Sequence, residues 1–469
     1  MGVCAGWAGF DTILAMLTRR RLLSTGAAFA ARAFPFVQAA SRRPNLILFF
    51  TDDHGYHDLG CQGAHDLKTP NLDALAASGV RFTNWYSNAP MCAPSRASLL
   101  TGRYPIRAGV PINGPSLPAS ERTLAALVKS QGYSTGIAGK WHLGSTPATA
   151  PNARGFDRFF GFHSGCVDFY SHRFYWGEPR RVNFHDLWRN GNEIFEDGQY
   201  LTELITHEAK EFIRLNQRNP FFLYLPYNAP HYPMHAPQKY LKRFAGLDAE
   251  RQTYAAMVAA VDDGVGEILD TLQKAGLREN TMIFFASDNG ATREARAGRN
   301  GRPATAGSNS PLRGFKFSLF DGGIRVPAIL SWPARIPPRQ VVHQVGATMD
   351  ILPTMLAAAG APAPNDRTID GRDVLSMAAQ KAPSPHEALF WSSGGQLAVR
   401  KGKWKLVIDG FDADGTPQGQ EKQQGANALF LSDLETDPGE SRNLRPEQPA
   451  LAEELAQSAR RWLVEVQGP

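Results

Sequence analysis

From Pro44 onward the chain alternates short apolar runs with stretches whose apolar residues recur every three or four positions. LILFF (46–50), STGIAGK (134–140), PFFLYLPY (220–227) and TMIFFAS (281–287) read as strands. Their near-continuous apolar character is that of strands covered on both faces. Between them, NLDALAASG (71–79), a segment entered at Pro94 and running through Leu100, TLAALVKSQG (123–132), YLTELITHEAKEFIRL (200–215) and YAAMVAAVDDGVGEILDTLQKAG (254–276) carry helical periodicity. Strands alternating with helices predict an α/β fold: a large mostly parallel or mixed sheet sandwiched by helices. No repeat period is visible.

After ATMDILPTMLAAAGAP (347–362) the texture changes, and residues 363–385 are rich in Pro, Asp and Ala. ALFWSS, QLAVRKGKWKLVID and ALFLSDL then read as shorter strands, followed by a last helix in PALAEELAQSARRWLVEV. That pattern predicts a small C-terminal antiparallel sheet plus one helix. The expected division is therefore a leader at 1–40, a catalytic portion at 41–384 and a small α+β subdomain at 385–469.

The leader TRRRLLSTGAAFAARAFPFVQAA has a basic cluster, a weakly apolar stretch and small residues near Val37-Gln38-Ala39. It reads as an export signal resembling the twin-arginine type, which would place the mature protein in the periplasm or outside the cell. Met16 is an alternative start. Arg32 and Pro35 interrupt the stretch, and no other segment is long and apolar enough for a stable membrane span. With 469 residues, 43% hydrophobic and 20% charged, the chain has the make-up of an ordinary globular enzyme. Arg19, Arg20, Arg21 and Arg32 against Asp11 account for half of the formal charge of +6. Without a lysine-rich run or an aromatic-interleaved basic stripe, nucleic acid is not an expected partner. Cys61, Cys92 and Cys166 beyond the leader are too few for a disulfide framework. Cys61 and Cys166 are expected as buried thiols, with pairing between them left open.

Chemistry begins at two strand ends, Asp52-Asp53 after LILFFT and Asp288-Asn289 after TMIFFAS. Neighbouring side chains on a strand point to opposite faces, so each pair can converge only in the turn beyond it. The carboxyl ends of strands in an open α/β sheet are where ligands bind. Four oxygen ligands with no imidazole or thiol among them suit a hard cation, Ca²⁺ or Mg²⁺. A second constellation is MCAPSRASLLTGR (91–103). Pro94 suits the first turn of a helix. Cys92 then lies at its electropositive end, and Arg96 one turn on offers a fork for a tetrahedral oxyanion.

Here the sequence resembles the sulfatase family of the alkaline-phosphatase superfamily. Cys92-Ala93-Pro94-Ser95-Arg96 matches the C-x-P-S-R signature, continued by LLTGRYP. Further blocks agree in order: PNLILFFTDDHGYHDLGCQG, TPNLDALAASGVRFTNWY, AGKWHLG, GFDRFFGF, SDNG and PLRGFKFSLFDGGIRVP. The resemblance implies that Cys92 is oxidised by a maturation enzyme to formylglycine (3-oxoalanine), whose hydrate is the nucleophile. It implies Asp52, Asp53, Asp288 and Asn289 as Ca²⁺ ligands, with residue 92 also facing the metal. It implies Arg96 as the residue stabilising the hydrate, and Lys140 and Lys316 as sulfate-binding cations. His142 would assist the hydrate, and His231 would stand beside the leaving oxygen. One departure is Asp321, where many relatives carry Glu.

The implied reaction is in-line attack on sulfur by one hydroxyl of the hydrate. His231, with Lys316, protonates the departing alcohol. His142 then deprotonates the second hydroxyl, which expels sulfate. Residues 161–177 and 185–191 resemble the arylsulfatase A/B-like branch, which includes enzymes acting on sulfated N-acetylgalactosamine. Tyr170, His172, Trp176 and Trp188 are candidates for stacking on and binding a sugar, or for an aromatic satellite core. The loop bearing Arg293, Arg296, Arg299 and Arg302 is expected to be mobile and solvated. The expected substrate is an aryl sulfate or sulfated carbohydrate. Two other activities fit the same residues: phosphomonoester or phosphonate-ester hydrolysis, and sulfated-glycan binding without catalysis if Cys92 stays a thiol.

Overall fold

The computed structural model describes residues 43–175 and 183–468; the export signal and Trp176 lie outside the described residues. A ten-stranded sheet forms the body of the molecule. Its centre is four neighbouring parallel strands in the order Thr281–Ser287, Asn45–Thr51, Phe221–Pro226 and Ser134–Lys140, extended in parallel by Arg158–Phe162. Antiparallel strands lie outside these: Ala328–Ser331 beside Thr281–Ser287, and Trp188–Arg189 with Asn192–Glu193 at the far edge. The sheet is thus mixed, parallel where it is deepest.

The central strands read as unbroken apolar runs because both of their faces are covered. Ile47 and Phe49, with Leu223, Leu225, Ile283 and Phe285, pack beneath the helices Leu201–Leu215 and Ala249–Lys274. Leu46, Leu48 and Phe50 point the other way, onto the layer holding Cys92–Thr101, Leu124–Lys129 and Ile351–Ala359. Each fully buried Leu, Ile or Phe contributes roughly 1.5–3 kcal/mol relative to exposure. The helix at 124–129 is shorter than the apolar periodicity suggests.

The four strands Ala388–Ser393, Gln396–Lys401, Trp404–Ile408 and Leu429–Asp433 form an antiparallel sheet in sequence order. The helix Pro449–Gln467 covers it through Leu455, Ala459 and Trp462. Its core is continuous with Tyr86, Tyr104, Leu319 and Phe320 of the preceding portion. Asp321 is buried at this junction, where Lys405 Nζ donates to its Oδ1 at 2.7 Å and lies 3.0 Å from Glu440 Oε1. Nothing in the sequence pattern announces this network, which ties positions about a hundred residues apart.

Candidate active site

Four adjacent strand ends deliver the polar residues. Thr51 pairs in register with Ser287, so Asp52 and Asp288 leave the sheet side by side. Lys140 closes its own strand, and the segment after Pro226 carries His231. Asp53 turns into the left-handed region at φ 59°, which lets both carboxylates of the pair face one point. His142 does the same at φ 56° just beyond Lys140. Such backbone costs of order 1–3 kcal/mol at a non-glycine residue and persists where the surroundings enforce it. The chain also folds tightly against Gly290, where a Cβ would meet the Gly322 carbonyl at 1.8 Å.

The helix Cys92–Thr101 is buried along its whole length and stops at left-handed Gly102. Cys92 is its first residue, with Pro94 two positions on and still in the first turn. No side chain caps Met91, but the Ala93 N–H is taken by Asn113 Oδ1 at 2.9 Å.

Around Cys92 the groups interlock. Its thiol donates to Asp52 Oδ1 at 3.4 Å. Lys140 Nζ lies 2.6 Å from Asp52 Oδ2, and Arg96 Nη2 lies 2.7 Å from Asp288 Oδ2 and 3.5 Å from Asp52 Oδ1. Lys316 Nζ sits 2.9 Å from Asp53 Oδ2, 3.4 Å from His231 Nε2 and 3.5 Å from Glu294 Oε2. Asn289 Nδ2 donates to Asp53 Oδ1 at 2.7 Å, while its own Oδ1 is buried without a hydrogen-bond partner. The structure brings all of these together. His142 is within electrostatic reach of Lys140 and Arg96, with Nδ1 unpartnered.

These charges decide which groups carry protons. Burial alone would raise Asp52, but Lys140, Arg96 and Lys316 outweigh it and hold the carboxyl below its ordinary value. Burial wins at Asp53, pushed up to about 7 against the pull of Lys316, and at Asp288, pushed up to about 6. Burial and the neighbouring Asp52 raise the Cys92 thiol well above its usual range. Burial followed by Lys140 and Arg96 depresses His142. Burial followed by Lys316 and Lys140 depresses His231. Lys316 is held charged: burial opposes it, but Asp53 and Glu294 with the Cys92 site prevail.

The donor set fits a hard cation. Three carboxylates crowd one dry site, two of them resisting ionisation, and the unpartnered Asn289 Oδ1 completes an all-oxygen group. Among the described residues, Asp52, Asp53, Cys92 and His231 also offer ligand atoms all within 4.8 Å of one another.

Several participants carry no sequence signal of their own. Glu294 braces Lys316, and the Tyr232 carbonyl lies 2.6 Å from His231 Nδ1. Ser87 Oγ donates to the Asp288 carbonyl at 2.6 Å. The expectation of a mobile arginine loop needs correction. The Arg293 guanidinium lies 4.3 Å from the centre of the Phe315 ring, and Arg296 pairs with Glu294 and covers Tyr232; Arg299 and Arg302 are exposed. Packing on aromatic faces anchors the first two. Of the proposed sugar-binding aromatics, His172 is wholly buried and belongs to the interior, while Tyr170 is half-buried against Tyr200. Trp188 instead faces a cavity. Cys61 is a half-buried thiol, and Cys61 and Cys166 are free.

Residues 44–361 match the family model described as Sulfatase. The chain is 37% identical over 392 residues to the N-acetylgalactosamine-6-sulfatase of Mus musculus, covering 79% of this chain and 72% of that protein. It is 34% identical over 453 residues to the arylsulfatase A of Homo sapiens, covering 87% and 84%. The crystal structure of Ps i-CgsB in complex with k-i-k-neocarrahexaose superposes with a TM-score of 0.79 at 32% identity, over 90% of this chain and 93% of that one.

Proposed function

Since the chain belongs to the sulfatase family and is a sulfuric ester hydrolase, we propose that it removes sulfate from a sulfated N-acetylgalactosamine-containing carbohydrate. We propose further that it uses formylglycine formed at Cys92 and a bound Ca²⁺. The observation that carries the reading of the site is the convergence of three carboxylates and three cations on the Cys92 thiol. The arrangement of N-acetylgalactosamine-6-sulfatase and arylsulfatase A as relatives supports the substrate class. A maturation enzyme must then reach residue 92 before folding buries it, and export through the leader 1–40 belongs to the same reading. So does the division into a catalytic portion at 41–384 and a subdomain at 385–469.

Asp52, Asp53, Asp288 and Asn289 would hold the cation, which supplies positive charge beside the sulfate oxygens. Oxidised residue 92, as a hydrated aldehyde in place of the thiol, supplies the attacking oxygen. The remaining work is done by side chains already in place. Lys140 and Lys316 are charged and dry, so each can neutralise a sulfate oxygen strongly. Arg96, clamped by Asp288 and Asp52, orients the group at residue 92. His231 Nδ1 lies 2.6 Å from the Tyr232 carbonyl, so the neutral ring carries its proton there and turns a bare Nε2 toward Lys316. The transferable proton therefore rests on the Lys316–His231 pair, beside the leaving oxygen. His142, neutral and with Nδ1 unpartnered, is in the state a base requires.

His231→Ala should lower kcat on a sugar sulfate by about 10²–10⁴-fold. The loss on 4-nitrophenyl sulfate should be much smaller, because nitrophenolate leaves without a proton. Steady-state kinetics on the two substrates checks this, and equal losses would remove the acid role.

The pH dependence of metal binding follows from Asp53 and Asp288. Their folded values are raised to about 7 and about 6. In the metal-depleted protein their contribution to stability is present below the unfolded value of about 4 and lost as pH rises through these values. A cation reverses that cost, and protons compete with it. The rise in Tm on adding Ca²⁺ to chelator-treated protein should thus be greater at about pH 8 than at about pH 5. Calorimetry at both pH values tests it; an equal rise would exclude these carboxyls as the ligands.

A further inference from the structure

Two cavities of similar size each take in a residue of the site, Lys316 in one and His142 in the other. One, of about 460 Å³, is lined by Met91, Lys316, Arg293, Phe317, Phe411 and Gln420 among others. The other, of about 470 Å³, is bounded by His142, His163, Asp186, Trp188 and the segment Gly114–Ser116. Both fall in the range of about 300–1,000 Å³ that accepts small organic ligands. Cys92 stands between them along the chain. Met91 borders the first cavity, while the Ala93 N–H is held by Asn113, whose neighbour Gly114 borders the second.

Their chemistries differ. The first holds the cations Arg293 and Lys316 against Glu294. Glu294 is already engaged by Arg296 and Lys316, and Arg293 has no ion-pair partner among the described residues. Arg293 donates to the Ala304 carbonyl at 2.6 Å, which leaves further guanidinium N–H groups for an acceptor. Phe411 and Gln420 come from the connection between the last two strands of the small sheet, so the C-terminal portion contributes a wall of this cavity. The second cavity is aromatic, and its carboxylate, Asp186, is engaged by His163 and the Trp188 indole. Trp188 is fixed by its indole N–H on Asp186 Oδ1 at 2.8 Å and by an edge contact with the His163 ring at 5.3 Å. The His163 side chain is only 8% exposed, and its Nε2 has no partner. A fixed aromatic surface bordering a cavity is suited to the C–H face of a sugar ring, while His163 Nε2 is closed off from solvent.

We infer that these are two saccharide subsites, so that the sulfate removed sits on a sugar with neighbours on both sides. An anionic sugar, carrying a carboxylate or second sulfate, occupies the Arg293 cavity, and a sugar ring stacks on Trp188 in the other. The inference rests on the sulfated-carbohydrate reading above. A monosaccharide sulfate reaches only one cavity, whereas a chain crossing residue 92 fills both.

The test compares kcat/KM for three substrates of the mature enzyme: sulfated N-acetylgalactosamine alone, and two oligosaccharides of alternating uronate and N-acetylgalactosamine with one sulfate, internal or at the non-reducing end. An aryl sulfate is run beside them. The internal sulfate should be favoured by at least about tenfold over both others. Trp188→Ala and Arg293→Ala should each bring that ratio toward unity, with Trp188→Phe and Arg293→Lys keeping part of it. Equal rates, or preference for the terminal sulfate, overturn the two-sided site while aryl sulfate turnover keeps the underlying reading intact. Turnover of the aryl sulfate with none of the three sugars defeats the carbohydrate reading itself.

Discussion

Cys92→Ala lowers kcat/KM on an aryl sulfate by at least about 10⁴-fold, because it removes the atom on which the reacting group is built. The structure explains why the unmodified thiol is no substitute. Cys92 is 2% exposed, and both burial and Asp52 push its thiol far from ionising. A thiolate there is disfavoured although three cations stand nearby, since Lys140 and Arg96 are already committed to Asp52 and Asp288. Cys92→Ser should be comparably inactive when residue 92 is left as a plain hydroxyl. Neither change should cost more than roughly 1 kcal/mol of stability, because one buried atom is altered. Kinetics of the purified variants should be read with mass spectrometry of the wild-type tryptic peptide 82–96. An aldehyde at residue 92 in active protein supports the proposed nucleophile. A thiol in fully active protein, or near-normal turnover by Cys92→Ala, would exclude it.

The second large effect is on stability. Lys405→Met should destabilise the protein by about 3–5 kcal/mol, because it leaves buried Glu440 without its cation and takes the nearer of two from buried Asp321. The Lys405 ammonium is wholly buried between Asp321 and Glu440. Tyr86 OH donates to Asp321 Oδ2 at 2.8 Å, and Glu440 Oε2 accepts the Asp321 N–H at 2.6 Å. Burial raises Asp321, but Lys405 and Arg325 outweigh it and bring it down to about 2. Burial prevails at Glu440, raised to about 7 despite Lys405. Asp321 therefore contributes stability above its unfolded value of about 4 that is lost only as pH falls through about 2. Glu440's contribution is present below about 4 and lost as pH rises through about 7. Without the ammonium both carboxyls shift upward, so the deficit should be greater at about pH 8 than at about pH 5. Denaturant unfolding at both values measures this, and a loss below about 1 kcal/mol would mean that the network is not held together by Lys405.

The strands were legible because a central parallel strand must be apolar on both faces, as in residues 46–50 and 281–287. The edge strands 188–189 and 192–193 and the antiparallel 328–331 were not. Two-residue strands have no periodicity, and Ala328–Ser331 is placed by pairing partners distant in sequence. The loop at 293–302 shows the same limit, since four arginines look solvated until Phe315 and Tyr232 arrive beneath two of them.

For the site, the chain by itself determined the chemical types and their places at strand ends and at a helix start. Asp52-Asp53, Asp288-Asn289 and Cys92 through Arg96 are local patterns, governed by side-chain periodicity and the polarity of the helix. Tertiary structure alone decided how they interact. Asp53 faces the same point as Asp52 only because its backbone enters the left-handed region. Lys316 becomes a proton-bearing partner of His231 because folding brings residues 85 positions apart to 3.4 Å and removes water from between them. Proton affinities in the cluster depend on burial and on charges distant in sequence, and neither quantity exists until the chain has closed around them.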